Sequence, residues 1–291
     1  MTGDDGPMKG KVVVITGGNA GIGKEAAVGL ARVGATVVIT SRNPERGRAA
    51  LDDVRERSGS TDVSVMDLDL ASFASIRKFA ADFLDRSDRL DVLLNNAGGI
   101  LSARTETAEG FESTFGINHL GHFLLTQLLL DRLESNPGGA RVVNVSSVAH
   151  KGARKGLDFD DLQSRHRYAA MNAYSKSKLA NIYFTRELAR RVGDDVTANA
   201  LHPGYVRSEF GRSGDLSWLF AFGNRLGSPF AISSEKGART SIYLASSPEV
   251  EGVTGGYFYK CAPASISAAA QNDAAARRLW DVSEQLVASA G

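Results

Sequence analysis

Residues 11 to 33 read KVVVITGGNAGIGKEAAVGLARV. The run from Lys11 to Thr16 is β-branched and continuous, the pattern of a strand buried on both faces of a parallel sheet. It ends in TGGNAGIG, Thr16 to Gly23, and passes directly into a helical stretch, Lys24 to Val33, that stops at Gly34. Strand, glycine turn and helix are thus contiguous, the layout that presents backbone amides to a dinucleotide pyrophosphate. Gly17 permits the tight turn, Gly21 lets the backbone approach the anion, and Gly23 lets helix and strand pack closely. Asn19, Ala20 and Ile22 belong to the same candidate cofactor loop.

Working outward, strand and helix patterns alternate along the whole chain. Strands are expected at Thr36–Thr40, Val63–Met66, a fourth ending in Asn95-Asn96-Ala97-Gly98, Arg141–Ser147, Val196–Leu201 and Gly256–Tyr259. Helices are expected at Pro44–Arg57, Phe73–Arg86, Glu109–Leu133, Asn172–Arg191, Ser234–Ala245 and Ala274–Val287. With no internal repeat or interdomain linker, the pattern implies one α/β domain over residues 11–291, a doubly wound Rossmann fold with a seven-stranded parallel sheet flanked by helices. Residues 1–10 read as a disordered leader. At 291 residues and 43% hydrophobic the chain can bury a sizeable core. Its net charge of +1 gives no electrostatic reason to bind nucleic acid. The one cysteine, Cys261, cannot form an internal disulfide, and the polar, acidic start is unlike a signal peptide or anchor, so a cytoplasmic protein is expected.

The helix from Asn172 to Arg191, NAYSKSKLANIYFTRELARR, places Tyr174 and Lys178 four apart on one face. A lysine charge beside a phenol favours the phenolate and moves an otherwise poor acid toward working range. With 7 Tyr and 34 Lys+Arg, about one such pair is expected by chance on a plain solvated helix face. The pair gains meaning from what surrounds it.

Thr-Gly-x-x-x-Gly-Ile-Gly departs from the common dinucleotide spacing and resembles the short-chain dehydrogenase/reductase family. The same order of motifs follows: Asn95-Asn96-Ala97-Gly98, Asn118 in INHLGHF, Ser147 at the end of RVVNVSS, Tyr174 with Lys178, and His202-Pro203-Gly204 with Val206 and Ser208. DDLQSRHRY, SKLANIYFTRELA and RRLWDVSEQLV are similar to the retinol-dehydrogenase-like branch. That branch commonly carries a membrane anchor, which is not expected of this chain, so a retinoid is not implied.

The resemblance implies a catalytic set of Asn118, Ser147, Tyr174 and Lys178, with Ser147 and Tyr174 on the substrate. It implies cofactor contacts from the glycine loop, Ser41, Arg42, Asp69, Leu70, Asn96, Ala97, Gly98, Tyr174, Lys178, Pro203, Gly204, Val206 and Ser208. Asp67 is the alternative register for the adenine pocket. Arg42 stands where an NAD enzyme of this layout carries a carboxylate, so NADP(H) is the expected cofactor, its 2′-phosphate paired with the guanidinium. In family members an asparagine at position 118 kinks its helix and holds a water linking the lysine to solvent. His119 and His122 follow at helical spacing, and ordinary packing or surface roles are expected of them rather than metal ligation, which would need further ligands. Residues 207–235, with Trp218, Phe220, Phe222 and Phe230, are expected to form a substrate lid.

The implied activity is hydride transfer between NADP(H) and a bulky, apolar carbonyl or alcohol. An NADP-sensing protein on the same fold, without turnover, is the alternative; sugar-nucleotide epimerases share the tyrosine-lysine chemistry but need a larger substrate domain. Family members often pair through the helices carrying Asn118 and Tyr174, so a homo-oligomer is within the expectation.

Overall fold

The computed structural model describes residues 6–206 and 232–290. Its centre is a sheet of eight strands in the order β3-β2-β1-β4-β5-β6-β7-β8. The strands are β1 Val12–Ile15, β2 Thr36–Ser41, β3 Val63–Asp67, β4 Val92–Asn95, β5 Ala140–Val145, β6 Val196–Leu201, β7 Tyr257–Tyr259 and β8 Ala262–Pro263. The first seven run parallel; β8 pairs antiparallel with β7. This last strand is absent from the seven-stranded expectation. It is only two residues long, and Lys260 and Cys261 before it both take positive φ, 51° and 60°, where glycine would be the usual sequence signal.

Helices cover both faces. Among the described residues they are α1 Gly21–Arg32, α2 Pro44–Ser58, α3 Phe73–Arg86, α4 Ser113–Phe115, α5 Gly121–Glu134, α6 Ala170–Arg191, α7 Ser234–Ser246 and α8 Asp273–Ser289. One core lies between the sheet and α1, α2 and α7, around Ile15, Leu30, Ile39, Val54 and Leu244. The other lies under α3, α5, α6 and α8, around Phe79, Phe83, Phe123, Phe184 and Trp280. With helices on both sides a central strand can be apolar on alternate and intervening positions alike: β1 reads VVVI, and Val13, Val14 and Ile15 are all fully buried.

Two departures have local causes. Met8, placed by sequence in a disordered leader, is buried in the α1-side core, and its amide bonds the Val33 carbonyl at 3.1 Å. A single apolar residue gives no periodicity to read. The expected helix over Glu109–Leu133 is broken instead into α4, a π-helical turn at Gly116–Leu120, and α5. Asn118 sits in that wider turn, and π-turns of this kind are frequent at functional positions.

Candidate active site

The strand order reverses between β1 and β4, which opens a crevice at their carboxyl ends. The glycine turn after β1 and Asn95–Gly98 after β4 meet there, joined by Thr16. The Thr16 hydroxyl accepts the amides of Asn96 and Ala97, each at 2.9 Å, while Asn96 Nδ2 donates to the Thr16 carbonyl at 2.8 Å. Gly17 turns with φ +64°, and a Cβ on Gly23 would lie 2.5 Å from both Asn96 Nδ2 and the Gly17 carbonyl oxygen. Only a bare backbone fits at Gly23, which is the close packing its position predicts.

The residues present fit a dinucleotide. α2, α3, α7 and α8 have side-chain N-caps, from Asn43, Ser72, Ser233 and Asn272. α1, like α6, has neither a side-chain cap nor an acidic residue in its first turn; what sets α1 apart is its place after the glycine turn at the crevice, where its amides are left for an anion. Beside it a cleft of about 200 Å³ is lined by Asn19, Ala20, Lys24, Arg46, Ala49 and Ala50. Arg42 is exposed on the turn after β2, where the Ser41 hydroxyl donates to the Asn43 carbonyl at 2.8 Å. Lys24 and Arg46 at this end were not singled out by sequence. Asp69 is half-buried and bonds the Ala71 amide through Oδ1 at 3.0 Å, Leu70 is buried, and Asp67 is exposed.

On the other side of the crevice α6 presents Tyr174 and Lys178. The phenol pairs with the Ser147 hydroxyl, and Lys178 Nζ lies 5.7 Å from the Tyr174 ring centroid. Of the two serines ending RVVNVSS, Ser146 is buried and donates to the Lys178 carbonyl at 2.7 Å. Ser147 instead accepts the Ala149 amide at 3.1 Å, capping a short 3₁₀ turn, and faces the phenol. Asn118 closes the group: its side chain exchanges two 2.9 Å bonds with Gly99 and donates to Ser177 Oγ at 2.9 Å, which in turn donates to the Tyr174 carbonyl at 2.8 Å. A Cβ on Gly98 would meet Asn118 Oδ1 at 2.9 Å and Lys178 Nζ at 3.3 Å, so glycine, asparagine and lysine converge.

The electrostatics differ from expectation in one respect. Lys178 is 3% exposed, donates to the Val145 carbonyl at 2.9 Å, and is brought down to about 8 by burial. Burial raises the Tyr174 phenol to about 12, with the Ser147 hydrogen bond acting the other way. In the protein alone, desolvation therefore outweighs the acidifying effect expected of the lysine, because both groups have lost water. The phenol is held in its neutral form.

Pro203, Gly204 and Val206 follow β6, Gly204 with φ +92° and Val206 bridged to Ile232. Ser208 and most of the expected lid, including Trp218, Phe220, Phe222 and Phe230, lie outside the described residues.

Residues 11–158 match the family described as short chain dehydrogenase, and mouse retinol dehydrogenase 12 is 49% identical over 282 residues, 96% of this chain and 87% of that protein. The chain is a short-chain dehydrogenase. Human retinol dehydrogenase 14 is 45% identical over 300 residues, covering 98% of this chain and 88% of its own. Among solved structures, an uncharacterised Mycobacterium paratuberculosis protein superposes with a TM-score of 0.77 at 36% identity, covering 99% of this chain and 97% of that one. Pseudomonas aeruginosa RhlG in its NADP active-site complex gives 0.67 at 29% identity, with 89% and 97% covered. A short-chain dehydrogenase is an oxidoreductase that moves hydride between an NAD(P) cofactor and a CH–OH group. Among the described residues no helix is long and apolar enough to cross a membrane.

Several polar groups around this dehydrogenase's site went unread in the sequence. His150 is fully buried; its Nδ1 donates to the Ser147 carbonyl at 2.7 Å and its Nε2 accepts the Ser267 amide at 3.2 Å. The Tyr257 ring meets it edge-on at 5.2 Å and stacks on His202 at 5.8 Å. The Tyr257 phenol is pushed up by burial and further by Tyr174, which places the two phenols near one another. His119 packs among Phe115, Phe123 and Phe184 and bonds Ser283 Oγ at 2.8 Å, a packing role as expected. The contacts of His150 and Tyr257 do not follow from local spacing, since they join the turn after β5 to β7 and to the segment before α8.

Proposed function

We propose that this short-chain dehydrogenase is NADP(H)-dependent and interconverts a bulky, apolar carbonyl compound and its alcohol. The observation that carries the reading is the linkage of Ser147, Tyr174, Lys178 and Asn118 at the crevice where cofactor loop and strand end meet. When bound, the nicotinamide supplies or accepts the hydride at its C4. In reduction, Ser147 orients the carbonyl oxygen by hydrogen bonding, and Tyr174 gives its proton to the developing alkoxide. A phenol held neutral by burial is the right form for that donation at neutral pH. Lys178 holds the nicotinamide ribose and stabilises the phenolate left behind, and Asn118 fixes the turn through which the proton is restored.

Arg42 supports the preference for NADP, exposed at the end of β2 where no carboxylate competes for the adenosine ribose. Arg42→Ala is expected to weaken NADPH binding by about tenfold or more, the effect of one charge-assisted contact, and to leave NADH binding near its parental value. Nicotinamide fluorescence titration reads both; NADH bound as tightly as NADPH by the parent overturns the assignment.

Two observations support an apolar substrate. Val148, next to Ser147, is 50% exposed, and Met171, one turn before Tyr174, is 54% exposed, so two large apolar side chains stand in the open beside the proposed catalytic serine and tyrosine. The segment from Ser213 to Ile232 adds an aromatic composition. The relatives named retinol dehydrogenases make retinaldehyde one reasonable candidate. The test is NADPH consumption over aromatic ketones, quinones, steroid-like carbonyls and retinaldehyde. Turnover on bulky apolar members above small polar aldehydes is expected; tight NADPH binding with no turnover in either direction would return the protein to a cofactor-sensing role.

A further inference from the structure

His122 lies on α5 one turn after Asn118, is 2% exposed, and touches both halves of the site. Its Nδ1 is 3.1 Å from the Asn118 carbonyl oxygen, and its Nε2 is 2.9 Å from Thr16 Oγ1. The donor and acceptor accounting has one good solution. A carbonyl only accepts, so Nδ1 carries the proton and Nε2 is bare. Thr16 then gives its single hydroxyl proton to Nε2 and keeps both lone pairs for the Asn96 and Ala97 amides. The competing acceptor for that proton, the Leu94 carbonyl, is 3.4 Å away and already takes the Thr16 amide at 3.0 Å. Burial brings the imidazole down to about 4, with Lys178 acting in the same direction, so the ring stays neutral through the physiological range.

We propose that His122 is a positioning residue that locks the cofactor-facing strand end to the π-turn of Asn118, so that cofactor geometry and proton return are set by one side chain. Through Nε2 it orients the Thr16 hydroxyl that holds Asn96 and Ala97 against the cofactor. Through Nδ1 it fixes the carbonyl of Asn118, whose side chain reaches Ser177 and thence the Tyr174 carbonyl. Each nitrogen serves a different step. The inference rests on the proposed hydride-transfer reading for its kinetic part, and on geometry alone for its binding part.

The two functions separate by substitution, because an asparagine amide reaches as far as Nδ1 and a glutamine amide as far as Nε2. His122→Asn keeps a donor to Asn118 and loses the acceptor for Thr16; it is expected to weaken cofactor affinity by about tenfold, the loss of one buried hydrogen bond, with a smaller fall in kcat at saturating cofactor. His122→Gln keeps the acceptor for Thr16 and loses the donor to Asn118; its larger loss, again about tenfold, is expected in kcat rather than in cofactor affinity. A merely structural histidine would move both parameters together, in step with the melting temperature, in both variants. That parallel loss, or no loss in either, overturns the proposal. Because a buried variant can fail to fold, the parent is also read directly: its histidine ¹⁵N spectrum should show His122 as the Nδ1-protonated neutral tautomer between pH 5 and 8. An Nε2-protonated ring overturns the proposal whatever the variants do. Cofactor titration and the spectrum need no substrate, so an absence of turnover in the parent would count against the hydride-transfer reading and leave this one standing or falling on binding.

Discussion

Tyr174→Phe is expected to lower carbonyl reduction by roughly 10²–10⁴-fold, the range for removing a positioned general acid. The phenylalanine ring preserves the packing of α6 and loses only the hydroxyl that faces Ser147. Ser147 would keep its bond to the Ala149 amide, so neither the serine nor its 3₁₀ turn is released, and the melting temperature should change by little. Cofactor affinity should fall far less than kcat, because the glycine loop, the α1 N-terminus and the Asn95–Gly98 segment are untouched. Steady-state kinetics with NADPH, beside a fluorescence titration of the cofactor, reads both quantities. A variant that retains more than about a tenth of parental kcat would mean that the proton comes from elsewhere. The nearby Tyr257 phenol, beside His150, would then be the group to remove next.

Lys178→Met should produce opposite changes in activity and stability. Turnover should fall by at least about 10²-fold, since the variant lacks the ammonium proposed both to hold the nicotinamide ribose and to support the phenolate. The cofactor-free variant should nevertheless be more stable than the parent at pH 7. The Lys178 ammonium is buried, and its hydrogen-bond acceptor among the described residues, the Val145 carbonyl, would still receive Asn181 Nδ2 at 3.2 Å. A methionine of similar length fills the space without a charge to desolvate.

The pH dependence carries the sign. The folded lysine titrates near 8 and the unfolded one near its ordinary 10.5, so between those values the unfolded chain binds the extra proton and parental stability rises with pH. Below 8 the full penalty is present, up to about 3 kcal/mol. The advantage of the Met variant should therefore be largest at neutral pH and shrink as pH rises from 8 toward 10.5. Denaturant unfolding at pH 7 and pH 10 measures it. A parent that is the more stable of the two at pH 7 would show that the ammonium is compensated in the folded protein. On the proposed function, binding energy from the cofactor would offset the buried charge.

Much of this was legible in one dimension. The β-branched run before the glycine turn, and the repeated strand-helix alternation after it, determine a parallel doubly wound sheet, because only a strand buried on both faces is apolar without alternation. The bounds of α3 and β6 coincide with the sequence reading, since each is delimited by its own polar and apolar pattern. The four residues proposed for catalysis were also visible, as types standing in a family's order. Their chemistry was less so. Sequence pointed to a phenol acidified by its lysine, whereas the folded protein raises the phenol and lowers the lysine, a consequence of burial that no local spacing encodes.

What only the tertiary structure decided depends on partners distant in the chain. Adjacent Ser146 and Ser147 are alike as sequence; the fold sends one hydroxyl to the Lys178 carbonyl and leaves the other facing Tyr174. Thr16, 80 residues before Asn96 and 106 before His122, becomes the junction of three segments because the β1–β4 reversal brings them together. The π-turn at Asn118 and the placing of His122 against Thr16 likewise require the sheet to exist first. The chain alone determines the principal strands and helices and their layers, because hydrophobic period is a local property, while the two-residue β8 and the break at Asn118 escape it. The tertiary structure decides which hydroxyl, imidazole or ammonium faces which, because hydrogen-bond partners and desolvation are properties of neighbours in space.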